Sequence, residues 1–243
     1  MSGPVPSQST IQTVLRGFLL KYLPAGVEVV ASQDNRVPEP AGDFVTMNVL
    51  RRGRLSTNVD TYRDCAFTAS VDGAVMTVTQ VEFGTLLVGA TVFGASVADG
   101  TLIGPQTAGT PGGIGTYGVA PSQTVTAQTL ACGAETIMQP TDAVMQLDVH
   151  SASDGVASDM AQTISTLMRD ERATRFFTDA GLDGAPLYAE DPRQVPFLNG
   201  EQQYETRYVV DVHIQANQAL GLPQQFADQA AIDVFPVEAT FPV

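Results

Sequence analysis

Apolar and polar positions alternate from Tyr204 to Gln215, and this is the clearest pattern in the chain. Tyr204, Thr206, Tyr208, Val210, Val212 and Ile214 fall on one face; Glu205, Arg207, Asp211, His213 and Gln215 fall on the other. A period of two predicts a strand with one buried and one polar face. A proline-punctuated loop and an Asn199-Gly200 turn precede it. Phe44 to Leu50 (Val45, Met47 and Val49 inward) and Ala143 to His150 (Met145, Leu147 and Val149 inward) repeat the pattern. Val27 to Ala31 predicts a short strand, and Leu55 to Tyr62 a return partner for Phe44 to Leu50. The turn between those two would be Arg51-Arg52-Gly53-Arg54.

Three stretches change to helical spacing. Ile11, Val14, Leu15, Phe18, Leu19 and Tyr22 form an apolar stripe. Ser9 and Gln12 have the spacing of a capping box, and Leu23-Pro24-Ala25-Gly26 stops the helix. From Ser153, the stripe Val156, Met160, Ile164 and Leu167 is widened by Ala157 and Ala161. A third, short helix begins at an Asp170 cap, carries Phe176 and Phe177, and ends at Gly181. Gln33 to Gly42, with Pro38 and Pro40, reads as irregular.

Residues 66 to 132 differ from their surroundings. They are rich in Thr, Val, Ala and Gly, and no Lys or Arg occurs from Asp64 to Met168. Short strands are expected at Met76 to Glu82, Leu86 to Phe93, Thr101 to Ile103, Thr116 to Val119 and Thr124 to Leu130. Gly84, Asp99-Gly100 and Gly109 to Gly115 supply the turns. So long a stretch is not a structureless loop in a compact protein. The expected organisation is an α+β host domain over 1–65 and 133–243, with a mixed sheet flanked by helices, and an inserted small all-β domain over 66–132. An insert keeps its ends close, which would make Cys65 and Cys132 neighbours. Two cysteines are too few for a disulfide scaffold, and buried free thiols are favoured over a bonded pair.

Lys+Arg 12 against Asp+Glu 26 gives a net charge of −14. Such a surface does not grip nucleic acid, although DNA could slide past it without sticking. No apolar run reaches the ~18 residues of a membrane helix, and MSGPVPSQST lacks signal-peptide regions. These features read as a soluble, cytoplasmically made protein.

Candidate chemistry is sparse. Asp148-Val149-His150 and Asp211-Val212-His213 would bring two Asp and two His together if their strands were adjacent, as metal ligands require. Solvated positions on an amphipathic sheet are the preferred reading, with no metal. Gly113-Ile114-Gly115-Thr116-Tyr117-Gly118 imitates a dinucleotide loop, but a β-type run follows where a helix is needed. Cys65 has no evident base. Asp170, Glu171, Arg172 and Arg175 read as a solvated helix face. No catalytic residue or cofactor is expected. Arg51, Arg52 and Arg54 stand out in so acidic a chain; a solvated turn is the plain reading, and a contact for carboxylates of another subunit or partner is the alternative. The apolar tail, with Phe235, Val237, Phe241 and Val243, is a second contact candidate.

Four stretches resemble the neck or tail terminator family of contractile-tailed phages: the helix Ile11 to Tyr22; QDNRVPEP (Gln33 to Pro40) with the strand after it; MQLDVHS (Met145 to Ser151) with its helix and Phe176-Phe177; and VPFLNGEQQYETRYVVDVHIQAN (Val195 to Asn217). The segment at 66 to 132 departs from that pattern and looks like small β-modules of virion proteins. The resemblance implies a non-enzymatic virion protein forming a ring, usually sixfold, on the finished end of the tail tube. Its partners would be itself, the tube protein, the neck or head connector and, by position, the sheath. DNA would pass the lumen. A neighbouring neck-ring protein and a binding module are the alternatives; the latter would use Phe83, Phe93 and Tyr117 of the insert on a carbohydrate or host surface.

Overall fold

The computed structural model describes residues 3–31, 40, 42–198 and 204–223. Two compact units make up the chain: Met1–Asp60 with Ile137–Gly221, and Thr61–Thr136, with which the described Leu222 and Pro223 group. The chain is of the α+β class.

In the first unit, α1 (Gln8–Tyr22) begins at Ser7, whose hydroxyl accepts the Thr10 N–H at 3.2 Å. The cap thus lies two residues before the expected Ser9, because Ser7 keeps extended backbone while Ser9 is already inside the first turn. Ile11, Val14, Leu15, Phe18 and Leu19 are buried, as the stripe required. Leu23 closes the last turn by donating its N–H to Leu19, and Gly26 takes a φ of 97° that lets the chain reverse. β1 (Glu28–Ala31) follows and pairs in parallel with β2 (Phe44–Arg54).

β2 also pairs antiparallel with β6 (Gly115–Ser151), whose residues from Ile137 belong to this unit. The order continues through β10 (Tyr204–Pro223) to β7 (Gly184–Ala189). The short strands β8 (Arg193–Gln194) and β9 (Phe197–Leu198) also pair with β10. Val45, Met47, Met145, Leu147, Val149, Val210, Val212 and Ile214 form one apolar face, and α1, α2 (Asp154–Leu167) and α3 (Glu171–Asp179) pack on it. The buried stripe of α2 is Ala157, Met160, Ala161 and Ile164, whereas Val156 is 38% exposed. Its two alanines, not Val156, face the sheet, since small side chains allow close helix approach. Phe18 meets Phe176 and Phe177 at 5.6 and 5.9 Å between ring centroids, locking α1 to α3. Full burial of Phe18 or Phe177 contributes about 2–3 kcal/mol each.

The second unit has its own core, including Cys65, Phe67, Met76, Ile103, Tyr117, Leu130 and Cys132. Its elements are longer and fewer than the expected short strands: β3 (Val59–Phe83), β4 (Thr91–Phe93), β5 (Leu102–Gly109) and the first part of β6. β3 reverses within its own span. The Thr79 hydroxyl donates to the Thr68 carbonyl at 3.3 Å, whereas an unbroken strand would hold them more than ~30 Å apart. Gly73, at φ 64°, supplies the turn, and the buried positions change phase there from Val71 to Met76. β5 pairs with residues 115–120 of β6 and β4 with residues 131–133, so β6 contributes at two places around one core.

Candidate assembly surface

The face of the first unit's sheet opposite the helices carries most of its charge. It was expected to be solvated, and it is not. Asp148, His150, Asp211 and His213 are 5%, 5%, 8% and 3% exposed. Strands β6 and β10 are indeed adjacent, but their antiparallel run places each acid against a different partner. Asp148 accepts from Arg207 at 2.9 Å, from Asn48 at 3.0 Å and from Thr46 at 3.3 Å. Asp211 accepts from Arg193 at 3.1 Å and from Gln146 at 3.3 Å. His213 Nδ1 lies 2.9 Å from Asp142, which also faces Arg51 at 3.8 Å.

Each histidine is buried by an aromatic partner on the next strand. His150 stacks on Phe44 at 4.4 Å and His213 on Tyr188 at 4.2 Å, and both are register pairs. Burial pushes the His150 imidazole below its ordinary value; Asp148 opposes that shift and Arg207 adds to it. The two histidines sit far apart along the sheet, and no metal-ligating group of three or more forms among the described residues. Arg193, Arg207, Asp142 and Tyr188 were missed as members of this network. The Arg207–Asp211–His213 alternation was the available signal, once set antiparallel to Asp142–Gln146–Asp148.

Arg51, Arg52 and Arg54 do not sit at a hairpin tip. They are the last part of β2 and pair with Val144, Ala143 and Thr141 of β6, which takes the place of the expected return strand. A bulge between Val49 and Arg51 shifts the phase of β2. It brings Arg51 to the polar face beside Asp142; strict alternation would have put it with Val45, Met47 and Val49. Arg52 donates to Gln8 at 3.0 Å and Arg54 to Asn58 at 3.1 Å. All three arginines remain exposed, and Leu50, Leu55 and Val59 nearby are 50%, 45% and 49% exposed. Arginine is among the residues enriched at protein interfaces. Phe235 and Phe241 lie outside the described residues.

The other candidates resolve locally. Asp170 caps α3 by accepting the Arg172 N–H at 2.9 Å; that bond, more than the nearby Arg172 guanidinium, lowers its carboxyl. Arg175 pairs with Glu171 at 2.7 Å within the same exposed helix. Thr110 to Ile114 is a turn leading into β6, so strand follows the glycines. Tyr117 is 1% exposed, with its hydroxyl donating to the Gly113 carbonyl at 2.7 Å. It therefore offers no stacking surface, unlike the 59% exposed Phe83. Cys65 and Cys132 are free, buried and hydrogen-bonded to each other. Burial, then the neighbouring thiol, pushes Cys132 up to about 12.

The charged groups of this sheet pair across its own strands, and the exposed arginines lie at the end of β2. The chain matches the family model for the phage neck terminator protein over residues 102–240, more than half its length, and it belongs to that family. The matched stretch starts inside the segment expected to be an insert and runs into the tail. No curated protein matches the chain. It is accordingly a structural component of the phage virion, at the tail and neck, working with other tail and head components. No helix among the described residues is long and apolar enough to cross a membrane.

Proposed function

We propose that the chain forms a homo-oligomeric ring, sixfold by analogy with its family, on the head-proximal end of the tail tube. The ring stops tube polymerisation and offers its other side to the neck or head connector, with the sheath as a further neighbour. Membership of the phage neck terminator family carries this reading. The exposed arginines of β2 support it, because a head-to-tail ring needs two complementary faces on each subunit and the rest of the chain is strongly acidic. DNA passes the lumen without specific binding, in keeping with a net charge of −14. Assembly takes place in the host cytoplasm, where free thiols persist. The division into a host over 1–65 and 133–243 and an insert over 66–132 belongs to the same proposal, with the insert as decoration on the ring.

Tube growth in vitro tests it. Added at low ratio to polymerising tube protein, the chain is expected to shorten the tubes and label one end. Reversing Arg51, Arg52 and Arg54 to Glu abolishes capping, while replacing residues 70–131 by a short linker leaves it intact. Unchanged tube lengths with the natural chain would overturn the termination reading. Capping by the reversed variant would overturn the arginine assignment, and loss of capping by the deletion would overturn the decoration role.

A further inference from the structure

Cys65 and Cys132 are the two cysteines of the chain. Each is 1% exposed, and both belong to the core around Phe67, Met76 and Tyr117. They stand on β3 and β6, which pair, a few residues inside the two ends of the Thr61–Thr136 stretch. Each is held in place by its neighbours. Gly84 lies so close to Cys65 that a Cβ there would come within 2.8 Å of the Cys65 Cα. Val92 is the register partner of Cys132, and the Leu87 N–H donates to the Cys132 sulfur. The two thiols are hydrogen-bonded to each other. A bond between them therefore needs a small closing movement and no rearrangement of strands.

The surroundings give the two sulfurs different roles. Burial, then the Cys65 sulfur, pushes Cys132 up to about 12, so it keeps its proton. Burial raises Cys65 as well, and the hydrogen bond from Cys132 pulls it back down. Cys65 is therefore the sulfur that reaches thiolate first. A buried, mainly protonated pair reacts slowly, through local opening of the strands around it. In a reducing cytoplasm it stays a dithiol. Outside the cell no thiol pool reopens it once it has closed.

We propose that Cys65 and Cys132 form a redox staple of the virion, open during assembly and closed to a disulfide after the particle has left the cell. The oxidant is a peroxide. The Cys65 thiolate attacks one peroxide oxygen, the O–O bond breaks, and hydroxide leaves to take up the proton that Cys65 gave. This makes a sulfenic acid on Cys65. The Cys132 sulfur then attacks the Cys65 sulfur, the S–O bond breaks, and the hydroxyl departs as water with the Cys132 proton. Two thiols and one hydrogen peroxide give one disulfide and two waters. The bond ties the stretch that enters the second unit to the stretch that leaves it, so that its core no longer opens from those ends. The staple goes beyond the ring reading and does not depend on it.

Hydrogen peroxide added to the reduced full chain tests the proposal. The intact mass is expected to fall by the two hydrogens, with the Cys65 and Cys132 peptides joined within one chain and separated again by reductant. Amide hydrogen exchange across Cys65 to Val71 should slow by ~tenfold or more on closure, because opening from those ends is lost. In Cys132→Ala, Cys65 should stop at the sulfenic acid and be trapped by dimedone; in Cys65→Ala, Cys132 should stay unreacted at the same dose. The natural chain carries the main result, so a variant that fails to fold leaves the test standing. Thiols that both stay free at a dose that oxidises the urea-unfolded chain would overturn the proposal. Disulfides between copies, or sulfinic acid in place of the bond, would do the same. A bond that leaves exchange unchanged would overturn the stapling role.

Discussion

His150 shows how one side chain couples the sheet to pH. It is 5% exposed, stacked on Phe44, and burial holds its imidazole below the 6.5 of an exposed histidine. Between the depressed folded value and 6.5, the unfolded chain binds a proton that the folded chain refuses. Stability therefore rises with pH through that window. The His150 contribution is complete above about 6.5 and is lost as the pH falls toward the folded value. Urea midpoints at pH 7.5 and 5.5 check this: the natural chain should lose more stability on acidification than His150→Gln does. Equal losses would show that His150 is not responsible. At this scale the sequence was legible in part. Alternation put His150 and Asp148 on one face, but a strand pattern does not reveal what lies opposite it. Thr46, Asn48 and Arg207 come from strands distant in sequence, so the burial of that face was not readable.

The strand pair β6·β10 is the element on which the polar face depends. Asp148 is nearly closed off from water and Arg207 is its charged partner at 2.9 Å, with a side chain 24% exposed. Removing one partner of a buried pair strands the other. Arg207→Ala should cost roughly 3 kcal/mol, reduced by whatever Thr46 and Asn48 supply to Asp148. Replacing both groups, as Asp148→Leu with Arg207→Met, should recover most of that loss, because the stranded charge is then gone. Chemical denaturation of the two single variants and the double variant reads the coupling. Additive losses would mean that the pair does not act as a unit. Helices and amphipathic strands were readable because their stripes face one core: α1, α3 and the apolar face of β10 lie where the periodicity put them. β7, with Pro186 and an uneven pattern, was not readable. Nor was the bulge in β2, which turns Arg51 to the polar face, or the pairing of the arginine stretch with β6 in place of the expected return strand. A single extra residue against a partner strand has no local sequence signature when the partner is some ninety residues away.

At the scale of the whole molecule, the second unit was legible as β-structure from its composition, yet its strand lengths were not. Gly73 and the turn at Thr110 to Ile114 reverse the chain within or between long strands, where composition alone suggested many short ones. The assembly role follows from family membership and from where the charge is placed. Arg51, Arg52 and Arg54 lie exposed together at the end of β2, and Asp142, Asp148 and Asp211 of the polar face are held by partners within the sheet. On the proposed function the natural chain closes into a ring. Its mass in solution, read together with negative-stain images of the main species, tests that most directly. A sixfold ring with a central hole, alone or on the end of purified tubes, is the expected result. A chain that stays monomeric by mass and leaves tube ends bare would contradict it.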